Sequence, residues 1–260
     1  MKRTALAISL LFAGCQLAGT KPGEKPQVYA LKYAESDYPA RLVNSRQTNG
    51  KVYMHWLAYL VRSPDGGLTL IDCGFSDPAL VKKFALRGFK PVSEILGQLQ
   101  IMPQQIQTVI LTHTHFDHAL DVGLFTSANV YVHASEAAKP ESSQLTKVFA
   151  TLGDQNRLRQ IQDGMQIGPA LEAIHIAGHT RGSLVVRLGA QPVPTIFTGD
   201  ECYFAEACHQ GIGLPAAAAF DRNKNRAFIQ SIRPDTRLLT GHEPHKTGGR
   251  WISPEIFLFD

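Results

Sequence analysis

Four side chains of metal-ligating type fall within six residues at His113-Thr114-His115-Phe116-Asp117-His118. They follow the apolar run Thr108 to Thr112 (TVILT), which reads as a short buried strand. A loop leaving a strand end is where an α/β sheet places its site. In an extended segment His113 and His115, two residues apart, point the same way. Asp117 and His118 lie on the turn beyond and can address a second position. Imidazole and carboxylate together suit zinc, iron or manganese. The bland alternative is a solvated, histidine-rich loop, and further ligands at later strand ends decide against it. In Ile174 to Thr180 (IHIAGHT), His175 lies inside a strand between two isoleucines and reads as a satisfied packing residue. His179 follows Gly178 at the strand exit and is the better ligand. Ile196 to Asp200 (IFTGD) ends a strand in a carboxylate. Leu239 to His242 (LTGH) repeats the pattern, and His242 is preferred over His245, which lies beyond Glu243-Pro244.

The elements that must position these residues are legible in outline. Gln27 to Tyr33 reads as a strand, and Lys51 to Val61 as a longer one rich in aromatic and β-branched residues. Ser63-Pro64-Asp65-Gly66-Gly67 is a turn, and Leu68 to Asp72 returns as the second arm of a hairpin. Asp77 to Leu86, Val92 to Leu99 and Ser142 to Leu152 read as helices. Val130 to Val132 is a further strand. Ala170 to Ile176, Leu184 to Leu188, Thr195 to Thr198 and Leu238 to Thr240 form a second set of strands, with Ala216 to Ile232 as the longest helical stretch. Strands with helices between them, given twice without a Gly/Ser linker, predict one α/β domain over 27–260.

H-x-H-x-D-H, then A-G-H-T-x-G-S at 177–183, then T-G-D at 198–200 and a terminal G-H at 241–242 resemble the metallo-β-lactamase superfamily. Leu70-Ile71-Asp72-Cys73-Gly74 is similar to that family's early strand. The likeness runs from about Val52 to His245. It implies an αββα sandwich with a metal pair at one edge, zinc by default, with iron, manganese or cobalt also fitting the donor set. It implies His113, His115 and His179 on one metal, and Asp117, His118 and His242 on the other, with Asp200 bridging. Two metals about 3.5–4 Å apart bring water toward ionisation near neutral pH. Asp117 can pass a proton to a leaving group while remaining a ligand. Asp72 is expected to orient a ligand rather than to be one.

Asp200 separates this sequence from true β-lactamases, in which the bridging carboxylate is absent. Only 18 residues follow His242, with no counterpart of the C-terminal helical region of glyoxalase II. Tyr203, three residues after Asp200, resembles the N-acyl homoserine lactone lactonases, and its phenol is a candidate donor to a developing oxyanion. Met54, Trp56, Phe116, Phe204 and Phe220 are candidates for an apolar acyl pocket, with core packing as the alternative. The resemblance thus implies a dinuclear zinc lactonase acting on a small-molecule ester. Another ester, thioester or phosphodiester hydrolase of the same fold, and a non-catalytic metal-binding lipoprotein, are the rivals.

The 260 residues are 44% hydrophobic and 18% charged, a balance that excludes a disordered or collagen-like chain. The net charge is +4, of which Lys2 and Arg3 supply half, and no basic block follows to recruit nucleic acid. Met1-Lys2-Arg3 and the apolar stretch Thr4 to Ala13 read as a secretory signal, being too short for a membrane span of about 20 residues. Leu11 to Cys15 (LFAGC) resembles a bacterial lipobox, which would place a lipid on Cys15 and the protein in the periplasm or on the outer membrane. Cleavage after Ala18 or Gly19 is the alternative. Residues 16–26 read as a tether. Cys202 and Cys208 are able to pair in an oxidising compartment, but the reading favoured here is buried thiols acting as small hydrophobes.

Overall fold

The computed structural model describes residues 25–46, 49–189 and 193–260. The expected secretory signal, Cys15 and the tether up to residue 24 lie outside the described residues. The strands are β1 (Gln27–Pro39), β2 (Lys51–Arg62), β3 (Leu68–Ile71), β4 (Thr108–Ile110), β5 (Asn129–His133), β6 (Leu158–Ile161), β7 (Met165–Ile167), β8 (Leu171–His175), β9 (Leu184–Leu188), β10 (Thr195–Gly199), β11 (Arg237–Thr240), β12 (Gly249–Ser253) and β13 (Ile256–Phe259). They form two sheets. One runs β12-β13-β1-β2-β3-β4-β5-β6, and the other β11-β10-β9-β8-β7. The α-helices are α1 (Pro78–Lys83), α2 (Val92–Gln98), α3 (Phe116–Ala119), α4 (Ala134–Ala138), α5 (Ser143–Asp154), α6 (Ala205–His209) and α7 (Arg222–Ser231).

Three apolar layers make this the expected αββα sandwich. Leu184, Val186 and Leu188 of β9 face the first sheet's Leu57, Tyr59, Val61 and Ile71. Val185, between them, faces Phe228 and Ile229 of α7 on the other side. That alternation is the period of two that a strand imposes. On the far side of the first sheet, Ile95 and Leu96 of α2 and Leu145, Phe149 and Leu152 of α5 pack with Leu60, Leu70 and Val109. β3, β4 and β5 pair in parallel, so the ends of β3 and β4 carry their loops to one edge. β10 and β11 also pair in parallel and deliver Asp200 and His242 to that edge.

Four expectations need correction. The stretch 216–232 is not one helix. Ala216–Ala218 forms a single 3-10 turn, and Asp221 then caps α7 by accepting from Asn223 N–H and Lys224 N–H. The longest α-helix among the described residues is α5. β1 runs on past Tyr33 to Pro39 through an irregularity between Lys32 and Ala34. Cys202 and Cys208 form a disulfide rather than two free thiols, while Cys73 is free and buried.

Candidate metal centre

The five histidines and two aspartates named as ligands converge at the sandwich edge. His113, His115, His179 and Asp200 each offer one donor atom within 4.8 Å of the others, and Asp117, His118 and His242 do the same in a second group. Asp200 stands between the groups. Its Oδ2 is 3.4 Å from His179 Nε2 and 4.0 Å from His113 Nε2. Its Oδ1 is 3.1 Å from His118 Nε2 and 3.3 Å from His242 Nε2. Asp117 Oδ2 lies 3.5 Å from His118 Nε2 and 3.6 Å from His242 Nε2.

Local structure explains the aim of each side chain. Beyond β4 the chain reaches His115, whose extended backbone occupies the N-cap of α3, and Asp117 and His118 enter the first turn. Four of the imidazoles are held from behind through their second nitrogen. His118 Nδ1 is 2.8 Å from Asp72 Oδ2, and His113 Nδ1 is 3.2 Å from Thr112 Oγ1. His179 Nδ1 is 2.6 Å from the Ala218 carbonyl, and His242 Nδ1 is 3.2 Å from that of His55. Such partners fix the ring and its tautomer and leave the facing nitrogen free to ligate. Asp72 itself has a left-handed backbone (φ 58°) and also accepts from Thr112 N–H and Thr112 Oγ1, both at 2.8 Å. Gly199, also left-handed at φ 48°, sits where a Cβ would lie 2.6 Å from Thr112 Oγ1.

A cation suits this set. His113 Nε2, His118 Nε2 and Asp200 Oδ1 are buried, point into the cluster and have no hydrogen-bond partner. Buried polar atoms left this way are costly unless something occupies the space between them. The electrostatics agree. Burial opposes charge on Asp200, but His118 and His242 outweigh it and hold the carboxyl well below its ordinary value. Burial, reinforced by the neighbouring imidazoles, pushes His113 well down, which favours the neutral ligand form. Burial also opposes a proton on His118, yet Asp117, Asp200 and Asp72 together hold it well above the ordinary value. Two carboxylates set against the same imidazoles, with a third behind His118, call for positive charge between them.

Beside the cluster is a cavity of about 220 Å³. His115, Asp117, His179, Asp200, Tyr203 and His242 form its polar end, and Met54, Trp56 and Phe116 line its apolar wall. Tyr203 stacks on His242 (centroids 5.4 Å, 27°) and stands edge-on to His179 (6.2 Å). Burial and the nearby Asp200 push its phenol well up, so it keeps its proton. Two of the proposed wall residues are elsewhere. Phe220 is 52% exposed under the Arg181 guanidinium, and Phe204 packs with Met54 and Tyr203 outside the cavity lining. Tyr38, Leu42 and Phe84 line the cavity instead and went unnoticed in the sequence. Phe84 stacks on Phe116 at 4.8 Å, a pairing that no linear spacing announces. His175 and His245 stay outside the cluster. His175 stacks on His133 and meets the Arg181 carbonyl, and His245 meets the Tyr59 hydroxyl at 2.9 Å.

Known proteins resemble this chain at low identity. A Bacillus sp. protein named N-acyl homoserine lactonase is 24% identical over 234 residues, covering 82% of this chain and 91% of the relative. A solved quorum-quenching N-acyl homoserine lactone lactonase superposes with a TM-score of 0.69 at 19% identity, over 83% of this chain and 91% of that one. The solved dizinc quorum-quenching lactonase AidC gives a TM-score of 0.63 at 14% identity, over 90% of this chain and 94% of that one. At such identities the two solved structures establish the fold. The family model described as metallo-beta-lactamase superfamily matches residues 57–241, the span from the middle of β2 to the glycine before His242. The chain therefore belongs to the metallo-beta-lactamase superfamily and is a metal-dependent hydrolase.

Proposed function

We propose that this hydrolase opens N-acyl homoserine lactones, using two zinc ions held by the seven residues above. The observation that carries the reading is Tyr203. Its ring packs against one histidine of each ligand group, and it lines the same cavity as the apolar wall. His113, His115 and His179 would hold one ion, Asp117, His118 and His242 the other, and Asp200 would reach both with its two oxygens. Bound there, the ions would supply Lewis acidity and a water ionised near neutral pH.

The chain's own groups then have separate tasks. Tyr203 donates to the ring carbonyl oxygen as negative charge gathers on it. Asp117, lowered by His118 against the effect of burial, is an anion that takes the proton of the attacking water. It returns that proton to the ring oxygen as the C–O bond breaks, giving an alcohol and a carboxylic acid, which releases its own proton to solvent as the carboxylate. Met54, Trp56 and Phe116 exclude water and receive an acyl chain. Among the described residues no Lys or Arg lines the cavity, which favours a neutral ester over a phosphodiester.

The same proposal places the protein outside the cytoplasm, exported by its N-terminus and held by a lipid on Cys15. The Cys202–Cys208 bridge supports an oxidising compartment. The test is a zinc-loaded chain offered a lactone panel beside nitrophenyl esters, thioesters and phosphodiesters. Lactones are expected to turn over fastest. Tyr203→Phe is expected to lower lactone turnover by about 10²-fold with metal content unchanged. No lactone opening by the loaded enzyme, or full activity in Tyr203→Phe, overturns the reading.

A further inference from the structure

The motif at 177–183 contains more than a ligand. Gly178, Thr180, Gly182 and Ser183 are not among the seven ligands, yet all four are engaged by two buried carboxylates outside the cluster. Glu136, 5% exposed on α4, accepts four hydrogen bonds. Its Oε2 takes Thr114 N–H (2.9 Å) and Thr114 Oγ1–H (2.6 Å). Its Oε1 takes Thr180 Oγ1–H (2.7 Å) and Gly182 N–H (2.9 Å). Thr114 lies between His113 and His115, and Thr180 follows His179. A Cβ on Gly182 would sit 2.6 Å from Glu136 Cγ, so only glycine lets the carboxylate reach that N–H. Glu201, 1% exposed, holds the other side of the turn through Gly178 N–H, His179 N–H and Ser183 Oγ–H.

We propose that Glu136 is a positioning residue, which locks the 113–115 segment of the first sheet to the 179–182 turn of the second. Three imidazoles are thereby set for a single divalent ion before it arrives. The inference rests on the reading of these imidazoles as metal ligands. It is asymmetric, because Glu136 makes no hydrogen bond to the segments bearing Asp117, His118 and His242. Groups behind a ligand commonly contribute 10–100-fold to metal affinity, and this one braces three ligands at once.

Glu136→Gln is the direct variant. Each oxygen of Glu136 takes one main-chain N–H, so a carboxamide must turn its NH₂ against one of them whichever way it lies. Thr180→Val deletes one side-chain donor at constant shape, and Thr180→Ser restores it. The metal-free chains are titrated with zinc against a chromophoric chelator, reading equivalents and affinities. The wild-type chain is expected to take two. Glu136→Gln is expected to keep one near the wild-type affinity and to weaken the other about 10–100-fold. Thr180→Val should weaken the same one by less, and Thr180→Ser should match wild type. If Glu136→Gln does not fold, the Thr180 pair decides, and equal affinities in Val and Ser overturn the proposal. Unchanged binding in Glu136→Gln, or equal weakening of both equivalents, also overturns it. A wild-type chain that takes fewer than two equivalents instead sinks the two-ion reading, and the positioning role with it.

Discussion

Asp72→Asn isolates the control of one histidine tautomer. Asp72 accepts three hydrogen bonds at 2.8 Å, from Thr112 N–H, Thr112 Oγ1 and His118 Nδ1. Asparagine tolerates the left-handed backbone that Asp72 adopts, so the main chain is spared. Its single oxygen must stay opposite Thr112 N–H, a donor that cannot turn. The NH₂ then faces His118 Nδ1, and the ring escapes a donor–donor clash only by shedding its Nδ1 proton and keeping the one on Nε2. That atom is buried without a partner and is the one aimed at the cluster. Ligation would force the proton back and leave a buried donor unpaired, at about 1–3 kcal/mol. This converts to roughly a 5- to 150-fold loss of affinity for one equivalent. Chelator competition measures it. Two equivalents bound at wild-type affinity would refute the tautomer argument.

Two further outcomes follow from the same geometry. Gly199→Ala forces a left-handed alanine and puts its Cβ against Thr112 Oγ1, which Asp72 holds in place. Strain and overpacking together should cost about 2–5 kcal/mol in urea unfolding, and a loss under about 1 kcal/mol would count against that account. His245 is pushed down to about 3, by burial and then by His55. Between its unfolded value of 6.5 and about 3 the unfolded chain binds a proton that the folded chain refuses. Stability therefore falls as pH drops through that window, by up to about 1.4 kcal/mol per pH unit. His245→Phe leaves the Tyr59 hydroxyl its bond to the Thr240 carbonyl and should flatten the slope by up to one proton. An unchanged slope between pH 6.5 and 4 would place the acid sensitivity elsewhere.

Three of the ligands were legible because each closely follows a strand whose apolar run announces it. TVILT, IFTG and LLTG lead to His113, Asp200 and His242 within three residues of the strand end, so sequence order and spatial order coincide. Glu136 carried no such mark. It sits on a five-residue helix, 22 residues from the threonine it holds, and its role exists only once the two sheets have met. β13 was missed although IFLF is apolar throughout, because it pairs with β1 from the opposite end of the chain. The break at Ala219 to Asp221 was hidden by an alanine run with high intrinsic helix propensity. Main-chain bonds from Phe220 N–H to the His179 carbonyl and from Asp221 N–H to the Gly178 carbonyl override that propensity. The cavity wall was half legible, since facing aromatics such as Phe84 and Phe116 meet through the fold and not through spacing.

Both ligand groups straddle the sandwich. The first sheet and its following loop supply His113 and His115 to one and Asp117 and His118 to the other, and the second sheet completes them with His179, Asp200 and His242. A partly assembled polypeptide thus offers only incomplete chelates. Capture of an ion must come late in maturation, after the halves have docked, and the captured ion then works as a rivet across the seam. Withdrawing it should loosen the two layers from each other before either one melts.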